Sequence, residues 1–121
     1  MLAELERFGR YSLDSFSSGV DVSKFWEIMG PMVRDFNANP DVYISELDAV
    51  IANDKGGFAT FGAARLMFEV FGSECLSVPA ALPLIDAGIE FKAARGQTQM
   101  YHMTGYEQQR IFDRRQQGEN I

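Results

Sequence analysis

His102 is the one histidine and Cys75 the one cysteine in these 121 residues, and that scarcity bounds the chemistry open to the chain. A protein zinc site gathers several Cys, His or carboxylate ligands at short spacings, and neither a CxxC pair nor an HExxH helix is present. No metal and no cofactor are expected. His102 stands between Tyr101 and Met103. An imidazole can serve as a general base beside a carboxylate, but no GxSxG elbow or other marked nucleophile accompanies it. Cys75, between Glu74 and Leu76, reads as a buried structural thiol that has no partner for a disulfide within the chain. Lys55-Gly56-Gly57 precedes an apolar run, where a helix N-terminus could cradle a phosphate. The stretch lacks the GxxxxGK[ST] and GxGxxG orders, and Asp54 adds a negative charge beside it. It reads as a turn between two helices.

The acids carry a stronger pattern. Asp35, Asp41, Glu46, Asp48 and Asp54 occur with no Lys or Arg between positions 35 and 54, and Tyr43 lies among them. They do not follow the calcium-loop order D-x-[DN]-x-[DN]-G. These six residues are the candidate contacts for a protein partner with a basic surface. The chain as a whole carries a net charge of −6. Residues 1–91 hold 14 acids against 6 bases, and residues 92–121 hold 3 against 5. Direct nucleic-acid binding is disfavoured, because neutralising phosphates takes clustered Lys and Arg. Ten Phe, four Tyr and Trp26 supply a core and leave a second candidate site: an aromatic pocket for a small molecule, built from Trp26, Arg65, Tyr101 and His102.

Six helical segments must position these groups. The first, about Leu2–Ser12, spaces Leu2, Leu5 and Phe8 on one face, is weakened by Gly9, and gives way to a loop at Ser15–Gly19. The second opens at Asp21 or Ser23 and places Phe25, Met29, Val33 and Phe36 on one face, widened by Trp26. Pro31 predicts a kink or break, since its ring removes the bond to residue 27. The third opens at Asn39-Pro40-Asp41 and buries Ile44, Leu47 and Ile51, with Asp41, Ser45 and Asp48 opposite. The fourth, Phe58–Phe71, is apolar or small on nearly every side, which marks a buried central helix. Its Gly62-Ala63-Ala64 allows a close neighbour, Arg65 and Glu69 pair on an exposed strip, and Gly72 ends it. The fifth runs from about Pro79 to Arg95, with Pro83 confined to its first turn and Lys92 and Arg95 complementing its negative end. Residues 97–103 alternate in part and allow a short extended segment. Thr104 and Glu107 have the form of a capping box opening a polar sixth helix to Gln117, followed by a frayed tail at 118–121.

The sequence therefore predicts one all-α domain, a bundle of five or six helices around residues 58–71. A small α+β domain with a hairpin near 97–103 is the alternative. Glu4 and Glu6 contradict a signal peptide, and Cys75–Ile85, with two prolines, cannot span a bilayer. A cytoplasmic protein away from the membrane is expected. The leading functional expectation is a non-catalytic binding module, most sharply an inhibitor or immunity-type protein whose acidic face covers the basic site of a toxin or nuclease. A small-molecule regulator or minor enzyme using the aromatic pocket is the second expectation. A structural subunit associating through Gly62-Ala63-Ala64 is the third.

Overall fold

The computed structural model describes residues 2–18, 22–54 and 57–120. Among them there is no strand. Six helices follow one another: α1 (Leu2–Ser18), α2 (Val22–Ala38), α3 (Pro40–Asn53), α4 (Phe58–Phe71), α5 (Leu82–Ala94) and α6 (Gly105–Gln116). Two 3-10 turns, Gly72–Ser77 and Met100–His102, connect the last three. The chain is an all-α bundle, and the hairpin alternative is not supported. Residues 100–103 close locally instead, with the N–H groups of His102 and Met103 donating to the carbonyls of Gln99 and Met100.

The central position of α4 follows from its composition. Eight of its fourteen residues are buried, and it packs against α1, α2, α3 and α5. The crossing with α1 brings backbone against backbone. A Cβ placed on Gly9 would lie 1.8 Å from the Phe58 carbonyl oxygen, and one on Gly62 would lie 2.1 Å from the Leu5 carbonyl oxygen. Only glycine on both helices permits this backbone contact. The entropy that Gly9 costs α1 is thus offset by the packing it allows. The small-residue surface at Gly62-Ala63-Ala64 is buried under α1 within the chain, with Ala63 and Ala64 at most 1% exposed. It is not open for self-association.

Several local expectations change for identifiable reasons. Helix α1 continues through Ser18, so Ser15–Ser18 is helix rather than loop, since serine is only mildly unfavourable and no proline intervenes. Ser23 lies inside α2, and Asp21 lies outside the described residues, as do Lys55, Gly56 and Gly19. Pro31 sits within a single α2, held by the buried Met29 and Met32 on either side. Trp26 is 49% exposed rather than part of the core face, and Ile51 is outside the α3 stripe because Leu47 and Val50 turn inward. Arg65 and Glu69 do pair, at 2.7 Å, but they are mostly covered rather than on an exposed strip. Helix α5 starts at Leu82, so Pro83 falls in the first turn, where its missing N–H is tolerated. The tail after α6 is tied down to Glu119, whose N–H donates to the Arg114 carbonyl and whose carboxylate accepts from the Arg114 guanidinium.

Helices α5 and α6 are joined by a buried ion pair. Lys92 and Glu107 are each 1% exposed, with Nζ and Oε1 2.5 Å apart. Lys92 also donates to the His102 carbonyl at 3.0 Å, and its ammonium lies 5.0 Å from the Phe61 ring centre. Glu107 Oε1 accepts further bonds from the N–H and hydroxyl of Thr104, which fulfils the capping-box expectation. Lys92 is therefore a core residue, not a solvated complement to a helix end. A second tie, Arg110 to Asp86, is bidentate at 2.8 and 3.0 Å.

Candidate functional site

The six acidic-site residues separate into three groups once placed on the helices. Asp54 follows the last residue of α3 and faces the start of α4. Its Oδ1 accepts the Gly57 N–H, and its Oδ2 accepts both the N–H and the hydroxyl of Thr60. Asp54 thus caps the N-terminus of α4. Asp54→Ala should cost about 1–2 kcal/mol, the usual value of a lost N-terminal cap, read as a lower midpoint in urea unfolding. Thr60→Val should lose only part of that.

Asp41 and Asp48 are exposed and, seven residues apart, lie on one flank of α3. Glu46 is also exposed but stands roughly 140° round the helix from Asp41 at about 100° per residue. It belongs with a different group. Tyr43 is half-buried against the Phe36 ring at 5.3 Å, within the influence of the exposed Asp35 of α2. Burial, then the Asp35 carboxylate, then Glu4 and Glu46, push the Tyr43 hydroxyl above its ordinary pKa. The charges of carboxylates from α1, α2 and α3 are therefore felt at one tyrosine.

Beside this junction a groove of about 350 Å³ runs between α1 and α2. Glu27, Ile28, Pro31, Met32 and Asp35 form its α2 side, and Glu4 and Arg7 form its α1 side. The α2 residues recur at i, i+1, i+4, i+5 and i+8, which is one helical stripe. Ile28 and Met32 are buried, whereas Pro31 is exposed. Glu4 and Glu27 were not singled out by sequence, because each lies outside the uninterrupted acidic stretch and only the packing of α1 on α2 brings them to it.

The aromatic candidates are spread differently. Tyr101 is 74% exposed, with its ring 4.2 Å from that of His102. His102 Nδ1 accepts the Gln99 N–H at 3.2 Å, so the imidazole serves the 3-10 turn. Arg65 lies along α4, 5.4 Å from the Phe68 ring centre, and Trp26 is on α2. Neither the α1–α2 groove nor the shallower depression on α1 at Ala3, Glu6, Arg7 and Arg10 includes any of these four. Cys75 is buried, and burial pushes its thiol pKa up, away from nucleophilic use. Among the described residues, no three His, Cys, Asp or Glu side chains are grouped to hold a metal, and no single helix is long and apolar enough to cross a membrane.

Comparison with protein-family models, curated proteins and solved structures gave no match.

Proposed function

We propose that this protein is a non-catalytic binding module that recognises a basic protein partner, in the manner of an inhibitor or immunity protein acting on a toxin or nuclease in the cytoplasm. The observation that supports this reading is the negative charge that Glu4, Asp35 and Glu46, from three helices, exert at Tyr43, next to a groove lined by Glu4, Glu27 and Asp35. Such a surface attracts cationic partners, speeds their association and makes binding salt-dependent. Tyr43 supplies a rigid aromatic contact with a polar tip at the centre of the charge.

The test is affinity capture from the native host, followed by rebinding of the purified partner to charge-reversed variants. Glu46→Lys and Asp35→Lys should each weaken binding about tenfold or more, equivalent to about 1.4 kcal/mol. Asp41→Lys and Asp48→Lys, on the other flank of α3, should act less. A partner that binds all four variants equally, and equally at high salt, contradicts the reading. The pocket of Trp26, Arg65, Tyr101 and His102 remains the second site to challenge, by tryptophan fluorescence during ligand screening.

A further inference from the structure

We propose that the groove between α1 and α2 receives one arginine side chain of the basic partner. Its aliphatic stem would lie on Ile28, Pro31 and Met32, and its guanidinium among Glu4, Glu27 and Asp35. This rests on the reading of the protein as a binder of a basic partner.

Three observations carry it. The first is size. At about 350 Å³ the groove lies at the small end of ligand sites, which span roughly 300–1,000 Å³. It suits one long side chain better than a helix. The second is the order of chemistry within it. An apolar floor from α2 is edged by carboxylates from both helices, which complements a side chain with an apolar stem and a cationic head. The third is an acceptor left by proline. Pro31 lies inside α2 and has no N–H, so the Glu27 carbonyl lacks the donor that residue 31 would supply in a regular helix. Glu27 and Pro31 both line the groove.

The number of acceptors favours arginine over lysine. A guanidinium offers five N–H donors in a fixed fork and can serve two carboxylates and a carbonyl together, whereas an ammonium offers three from one point. Arg7 is the one cation of the lining. It stands on the same wall as Glu4, where its charge repels an incoming cation. Removing its charge therefore strengthens binding.

The experiment is fluorescence anisotropy with a labelled octapeptide of alternating arginine and glycine. The matching lysine and citrulline peptides serve as comparisons, at low and at physiological salt. Glu27→Gln with Asp35→Asn should weaken the arginine peptide by about tenfold or more, the loss of charge-assisted bonds at one site. Asp35→Asn keeps an acceptor for Tyr43, and a thermal melt of each variant confirms its fold. Arg7→Gln should tighten binding by about threefold, and Asp41→Asn with Asp48→Asn should change it by less than about twofold, as expected for exposed charges off the site. The lysine peptide should bind several-fold more weakly, and the citrulline peptide not measurably.

Equal loss from the two double variants, or no effect of Arg7→Gln, overturns the groove and leaves a diffuse acidic surface, with the partner reading intact. Failure of the arginine peptide to bind, while the natural partner still loses affinity on charge reversal at Glu46, overturns the groove alone. Indifference of the natural partner to every charge change removes both.

Discussion

Gly62→Ala should lower the melting temperature by about 8 °C or more. The added Cβ would sit 2.1 Å from the Leu5 carbonyl oxygen and 2.9 Å from the Gly9 nitrogen. Both are backbone atoms, so no side-chain rotation relieves the overlap and α1 must move off α4. Overpacking of this kind costs about 3 kcal/mol or more. That far exceeds the gain of up to about 1 kcal/mol from replacing glycine with alanine in a helix. At this chain length each kcal/mol moves the midpoint by about 4 °C. Gly9→Ala, which meets the Phe58 carbonyl at 1.8 Å, should act similarly, and the two together should cost less than their sum because they disrupt one contact. Gly105→Ala is the control. Nothing lies within 4 Å of its added Cβ, and it opens α6, so it should be neutral or slightly stabilising. Differential scanning fluorimetry reads all four. A shift below about 3 °C for Gly62→Ala would mean that α1 and α4 are not in backbone contact.

The second large effect is expected at Lys92→Met. Removing one member of a buried pair leaves the other charge without compensation, at about 3–5 kcal/mol. Here Glu107 would keep only its bonds from Thr104, while its second carboxylate oxygen is already buried without a hydrogen bond. Helix α6 should loosen first, since α5 and α6 are held by this pair and by Arg110–Asp86. Lys92→Met with Glu107→Gln should recover much of the loss. The neutral amide no longer needs a counter-charge and still offers an oxygen to Thr104. Urea unfolding of the single and double variants measures this. If Lys92→Met alone costs less than about 1 kcal/mol, the pair is not buried as described.

What could be read from the chain, and what could not, follows from the range of each signal. The span of α4 was legible to the residue because an apolar run ending in Gly72 needs no knowledge of its neighbours, and buried helices are apolar on all sides. The α6 start was legible because Thr104 and Glu107 satisfy each other locally. Lys92 was misread for the opposite reason. A basic residue near a helix end looks like a dipole complement, and its partner lies fifteen residues further on, beyond any local pattern. Trp26 reads by spacing as widening the apolar face of α2, yet it is half exposed.

The candidate site was legible only in part. The acid-rich stretch drew attention to residues 35–54, but its members face three ways: Asp54 into the α4 terminus, Asp41 and Asp48 to one flank, and Glu46 towards Tyr43. The groove acids Glu4 and Glu27 are separated from that stretch in sequence and meet it only through helix packing. Long-range juxtaposition of this sort leaves no trace in composition or periodicity.

The most direct measurement of the binding surface is a titration of the 15N-labelled protein with the arginine–glycine octapeptide, followed by amide chemical shifts. An arginine site in the groove at the α1–α2–α3 junction predicts shifts confined to the neighbourhoods of Glu4, Glu27, Met32, Asp35, Tyr43 and Glu46, fading as salt is raised. Shifts centred on Tyr101 and His102, or none at low salt, would contradict it.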